Sequence, residues 1–243
     1  MAASLLWGLI ASSSLVLGGV LALRITINRL VLGLVMAFGA GVLLSAVAFE
    51  LVEEAFDQSG LLRDVALGLF AGCAVFSLGD LVIDRLGGGG RKRIDAEQAG
   101  GSPLAIVLGI VLDGVPESAV IGLTVLTGGS VSVAMLVAVF LSNLPEAVAA
   151  TSGLTEIGWR SSRIMALWAG VMAVSGAAAL AGYALFDGAS PSAVAFVLAF
   201  AGGAILTMLA DTMMPEAFAH GGRYAGIMTT VGFATAFAVS AFE

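Results

Sequence analysis

The sequence predicts an all-α integral membrane protein, a bundle of eight transmembrane helices with both termini on the outer (extracellular or periplasmic) side. Three observations carry that reading. Of the 243 residues, 59% are hydrophobic and only 11% charged, against roughly a quarter charged in soluble domains. A chain with a mean hydropathy of +1.07 has too little polar surface to cover a core in water, so the lipid bilayer is its expected solvent. Glycine, at 33 residues, and alanine recur throughout, and such small residues let membrane helices approach closely. Finally, the basic residues sort by side once the apolar runs are counted as spans.

A span needs about 20 mostly apolar residues. The runs lie near 4–23, 31–55, 62–84, 103–126, 131–153, 162–185, 192–218 and 223–242. The first has no basic leader and reads as a retained helix, not a cleaved signal. Thr127-Gly128-Gly129-Ser130 is a tight turn, which makes the fourth and fifth helices antiparallel neighbours. The stretch 85–102, with its Gly-rich GGGGRKR, reads as a flexible loop. The whole chain, 1–243, is then a single membrane domain. Arg24, Arg29, Arg85, Arg91, Lys92, Arg93, Arg160, Arg163 and Arg223 fall on one side and Arg63 alone on the other. The basic side faces the cytoplasm, which places the 85–102 loop there.

The same features exclude several function classes. A net charge of −7 with no basic patch argues against nucleic acid as a partner. The sequence has no Walker GxxxxGK[ST] motif and no HExxH, which removes an ATP motor of that kind and an intramembrane zinc hydrolase. No enzyme activity is expected. Cys73 stands alone, so no intrachain disulfide or thiolate cluster can form, and it is expected to be a small buried hydrophobe.

Carboxylates sit inside the apolar runs. Glu50 follows VLLSAVAF, Asp113 and Glu117 lie in IVLDGVPESAVIG, Glu146 in FLSNLPEAVAAT, and Asp211 and Glu216 in LTMLADTMMPEAF. A charge at membrane depth costs at least about 2.5 kcal/mol on insertion scales, and no lysine or arginine lies within these segments. Cations or protons are the expected compensation. Three of the five prolines stand in Pro-Glu pairs, Pro116-Glu117, Pro145-Glu146 and Pro215-Glu216. Proline within a helix frees the carbonyl four residues earlier, here those of Leu112, Leu141 and Asp211. Each pair thus sets a carboxylate beside a freed oxygen. Asp113 and Glu117 share a helix face at i, i+4, as do Ser142 and Glu146. Counted from the turn, Glu117 and Glu146 lie at depths of about 15 and 24 Å. Asp113, Glu117, Asn143, Glu146 and Ser142 therefore form a candidate metal site of oxygen donors, which suits hard or borderline divalent ions. Glu50, Asp211 and Glu216, with Asp80, are candidates for a relay or secondary metal position. Glu53, Glu54 and Asp57 read first as a solvated helix end, and His220 as an interfacial residue.

With these residues the chain resembles the ZIP family of divalent metal-ion (zinc/iron) transporters along its whole length. That family carries His-Asn-x-Pro-Glu-Gly in its fourth span and His-Glu-x-Pro-Glu-Gly, or a variant, in its fifth. Here the segments read Asp113-Gly114-Val115-Pro116-Glu117-Ser118 and Ser142-Asn143-Leu144-Pro145-Glu146-Ala147. Glu117 and Glu146 match the family's metal-bridging glutamates, and Asp113 stands at the position of a histidine ligand. The chain departs from the pattern in lacking the imidazoles, since His220 is its one histidine.

The resemblance implies uptake of divalent metal cations toward the cytoplasm by alternating access, with the first, fourth, fifth and sixth helices moving against the rest. It implies zinc first as the transported ion, while manganese or iron suits an oxygen-rich shell as well. No resident cofactor is expected. The expected partners are metal ions, the lipid bilayer and, as a candidate, a second copy of the chain in a homodimer. The expected location is a cell (plasma or inner) membrane. A degenerate ZIP homologue acting as a metal sensor or inactive carrier, and a proton-coupled carrier of an organic substrate, are the alternatives.

Overall fold

The computed structural model describes residues 1–25, 27–88, 103–128 and 131–242. They form eight helical rods, with no strand among the described residues. In chain order these are α1 (Ala2–Arg24), α2 (Arg29–Ser59), α3 (Leu62–Ile83), α4 (Pro103–Gly128), α5 (Val133–Glu156), α6 (Ser161–Phe186), α7 (Pro191–Gly221) and α8 (Arg223–Ser240). Each falls within a few residues of an expected span. Seven are long and apolar enough to cross a bilayer, the architecture of a multi-pass membrane protein. The eighth, α8, has 18 residues, about 27 Å at 1.5 Å per residue, and is diluted by Arg223, Thr229, Thr230 and Thr235.

The helix boundaries follow from local chemistry. Asn28 accepts a hydrogen bond from the Leu30 backbone N–H (2.8 Å), and Ser132 accepts one from Met135 (3.1 Å). Ser190 caps α7 in the same way (3.3 Å), with Pro191 opening the helix. Gly60 stops α2 with a left-handed φ of 63°.

Two features differ from the expectation. Arg85 to Gly88 do not begin a loop; they continue α3 as a π turn, Asp84–Gly88. The rest of the expected loop, and the Gly129-Ser130 half of the tight turn, lie outside the described residues. In addition, α2 and α7 are interrupted by π turns at Val47–Glu53 and Leu209–Met213. Apolar periodicity does not distinguish a five-residue hydrogen-bonding step from a four-residue one, and π turns often mark functional sites.

The rods sort into two groups. In the first, α1 packs on α5 and α6, and α4 packs on α6; in the second, α3 packs on α7 and α2 on α8 and the end of α7. Glycines fix the pairs by letting backbones touch. A Cβ at Gly122 of α4 would overlap the Ala179 carbonyl of α6, and one at Gly182 would overlap Ala119 in return. In the second group, Gly41 faces Thr229 while Gly232 faces Phe38, and Gly72 faces Phe200 while Gly203 faces Leu69. Between the groups the fit is looser. A Cβ at Gly39 of α2 would stand 3.3 Å from the Leu141 carbonyl, Ser142 Cα and Met213 Cε.

What the groups bury also differs. Among the described residues, all buried polar or charged side chains except Ser45 and Asp64 belong to α1, α4, α5 with its cap Ser132, and α6. Trp168, fully buried on α6, anchors this group: its indole N–H donates to Thr151 of α5 (2.8 Å), and its ring lies against Gly19 of α1.

Candidate metal site

α4 brings Asp113 and Glu117 into the first group at 4% and 2% exposure. Their i, i+4 spacing stacks them on one face, and Ser118 beside them is equally buried. The helix runs through Pro116 without losing its α character, as α5 does through Pro145. At this spacing their Cβ atoms stand about 5–6 Å apart, so two anions there would repel each other. That repulsion comes on top of the cost of burying charge, and a cation between them would relieve both.

α5 contributes Ser142 and Asn143, both buried, and Glu146, half-buried. Ser142 donates its hydroxyl to the Val139 carbonyl (3.1 Å), so only its oxygen lone pairs can serve a ligand. The Leu141 carbonyl that Pro145 frees faces Gly39 of α2. A glycine there leaves that oxygen accessible to a neighbouring backbone instead of walling it off with a side chain.

The expected arrangement of these two helices needs correction. Only residues 129–132 separate them in the sequence, and there the Ser132 N–H donates to Thr124 (3.5 Å), yet the two helices touch only sparsely. Glycine contacts draw α4 onto α6 and α5 onto α1, so closeness in the sequence does not pair the two helices along their length. Accordingly, among the described residues no three His, Cys, Asp or Glu side chains are grouped to hold one ion. Asp113, Glu117 and Glu146 share a helix group without converging on one point.

The relay candidates separate. Glu50 lies half-buried in the first π turn, where its carboxylate accepts a 2.6 Å hydrogen bond from Ser240 at the end of α8. Phe49 beside it packs on Phe233 and Phe237. Glu53, Glu54 and Asp57 line a cavity of about 350 Å³ with Phe49, Phe237, Ser240 and Ala241, and Gln58 donates to Glu54 (2.7 Å). Asp211 is not gathered inward. The π turn leaves it exposed, on a face with Ala210, Pro215 and Phe218. Glu216 stands opposite His220, with 3.1 Å between Oε1 and Nε2 and both side chains mostly buried. Asp80 and Cys73 are half-buried on α3, and Cys73 is thus less enclosed than expected.

Sequence reasoning missed the hydroxyl lining of the first group, Ser4, Ser12, Ser14, Ser118, Thr124 and Ser175. Single hydroxyls in apolar spans carry no periodic signal. The chain matches no protein-family model and no curated protein sequence.

Proposed function

We propose that this protein is a ZIP-like carrier of divalent metal cations toward the cytoplasm, working by alternating access with α1, α4, α5 and α6 as the ion-bearing group. In this reading α8 is the eighth span and both termini lie outside. The observation that carries it is the buried pair Asp113 and Glu117 inside the one helix group with a polar interior. A dication cancels both charges of the pair, removing the repulsion and the penalty of two anions in an apolar surround. Asn143 and Ser142 add neutral oxygens, and Glu146 adds a third charge as the ion leaves water. The looser fit at Gly39 supports relative motion of the two groups, because an approach that leaves 3.3 Å to a Cβ slides more readily than backbones that a Cβ would overlap, as at Gly122.

Uptake of zinc, manganese, iron, cobalt and cadmium into liposomes containing the purified protein tests this. Saturable uptake of at least one ion is expected, falling at least tenfold in Glu117→Ala. Asp113→His is expected to shift preference toward zinc, since imidazole is the better zinc donor. No saturable uptake of any ion sinks the proposal. That no three acids group around one point among the described residues favours a second reading, a homologue that binds metal without moving it. Zinc binding that is lost in Glu117→Ala, with no uptake, would establish that one.

A further inference from the structure

Three arginines gather at one end of the first helix group without an acid to neutralise them. Gly8 of α1 packs on Ala179 of α6, and Gly19 packs on Trp168, eleven residues on along α1 and eleven back along α6. The two helices therefore run antiparallel in one constant register. Five residues further, that register sets Arg24, the last residue of α1, level with Arg163 in the first turn of α6. Leu23 and Trp159 pack on the same apolar cluster as Trp168, which holds the end of α1 beside the turn before α6. Arg160, the cap residue of α6, joins them from that turn. All three arginines are exposed. Two cations level with each other on packed helices repel. Arg160 and Arg163 also stand at the positive pole of the α6 dipole, where cations are disfavoured. Arg63 of α3 pairs with Asp64 at 3.2 Å. Among the described residues none of these three makes an ion pair, and neither does exposed Glu156, the acid nearest to Arg160 in the sequence. Instead the Arg163 guanidinium lies 3.9 Å from the centre of the half-buried Trp159 ring, a contact that leaves its charge unneutralised.

We infer that Arg24, Arg160 and Arg163, with Trp159, bind the phosphate headgroup of an anionic phospholipid. The phosphate supplies the charge that the three arginines lack, and its oxygens accept from guanidinium donors in bidentate pairs. Trp159 fits the same depth, since indole rings favour the headgroup level of a bilayer. A lipid is favoured over a soluble anion by what continues from Arg24. Leu17 and Leu21, seven and three residues before it, share its face of α1 and are 49% and 39% exposed. An acyl chain descending from a headgroup at Arg24 meets that apolar stripe. The charge count of the sequence expects this end at the cytoplasmic leaflet, where anionic lipids reside. A lipid held here ties α1 to α6 and relieves the repulsion between their ends. The inference stands apart from the transporter reading, because it needs only helices that span a bilayer.

Full-length protein in a neutral detergent, titrated with phosphatidylglycerol, phosphatidylcholine or inorganic phosphate, tests this. Native mass spectrometry reads the bound lipid, and thermal unfolding reads its effect. Phosphatidylglycerol is expected to be retained saturably, at least about fivefold more tightly than phosphatidylcholine, and to raise the thermal midpoint. Inorganic phosphate at the same concentration is expected to leave the midpoint in place. Arg24→Gln and Arg163→Gln are each expected to weaken the apparent phosphatidylglycerol affinity about fivefold, the worth of one basic residue near an anionic surface. Arg63→Gln, on α3, and Arg223→Gln, on α8 of the other group, are expected to leave it nearly unchanged. Equal retention of the two lipids, or unchanged affinity in both Arg24→Gln and Arg163→Gln, overturns the inference. An equal loss in Arg223→Gln overturns it too, because the attraction is then spread over the whole face. A midpoint raised as far by inorganic phosphate as by phosphatidylglycerol assigns the arginines to a soluble anion and overturns the lipid site.

Discussion

The two helix groups are locked by the same device and filled with different chemistry. Both use paired glycines, Gly122 with Gly182 in one and Gly41 with Gly232 or Gly72 with Gly203 in the other, to bring backbones into contact. The group of α1, α4, α5 and α6 then buries two carboxylates, an asparagine and a series of hydroxyls. The group of α2, α3, α7 and α8 buries Met36, Leu43, Phe76, Leu198 and Ile205, with Ser45 and Asp64 as its polar residues. Backbone form differs too. The helices of the first group remain α through Pro116 and Pro145, while the π turns among the described residues all fall in the second. In lipid, helix association draws little from apolar burial, so packing at small residues must hold each group. Polar side chains are then free to be placed for function, and they are placed on one side only. The second group reads as a frame against which the polar group is held by looser contacts.

Substitution at the glycines separates the two kinds of interface. Gly122→Val drives a side chain into the Ala179 carbonyl, which cannot move without shifting α6. A destabilisation of more than about 3 kcal/mol is expected, at the upper end of overpacking costs, seen as loss of monodisperse protein in detergent and a collapse in thermal midpoint. Gly72→Val in the frame is expected to behave alike. Gly39→Ala meets its neighbours at 3.3 Å and is expected to leave the thermal midpoint within a few degrees while slowing uptake severalfold. Equal loss of stability at Gly39 and Gly122 would show that the two groups form one rigid body.

Next in size is the polar interior itself. Thr151→Val keeps volume and leaves the fully buried Trp168 N–H without the hydroxyl it donates to. The expected cost is about 1–3 kcal/mol, that of an unsatisfied buried donor. Thr207 of α7, by contrast, donates only to the Gly203 carbonyl one turn back, at 2.8 Å. Thr207→Val is expected to be nearly neutral, because the helix keeps its own hydrogen bonds. Thermal unfolding of the two variants side by side reads the difference.

The span pattern was legible in the sequence because membrane helices announce themselves by length and apolarity, and even the caps at Asn28, Ser132 and Ser190 sit at the expected boundaries. That Asp113 and Glu117 share one face of α4 was legible because residues at i, i+4 stack on a helix. What stayed hidden was set by packing between helices. The turn between α4 and α5 suggested a pair in contact, yet Gly18 and Gly122 choose α1 against α5 and α6 against α4. Asp211, a relay candidate by its place in an apolar run, lies in a π turn on an exposed face. A turn of that kind depends on backbone hydrogen bonding that no side-chain pattern encodes.

The smallest expected effect concerns the frame's own π turn at Glu50. Ser240 donates to Glu50 Oε1 at 2.6 Å across 190 residues of chain, a short, charge-assisted bond. Glu50 is only half-buried, so water can replace the hydroxyl, and Ser240→Ala is expected to cost about 0.5–1 kcal/mol. The informative readout is local. Amide hydrogen exchange is expected to rise across Val47–Glu53, where the bond ties the turn to the end of α8. It is expected to stay unchanged across Leu209–Met213, the π turn that Ser240 does not touch. If both turns loosen together, the two are coupled through the frame and the bond is not a local tie. If neither does, the π turn at Glu50 is held by Phe49 packing on Phe233 and Phe237, and Phe237→Ala becomes the substitution that opens it.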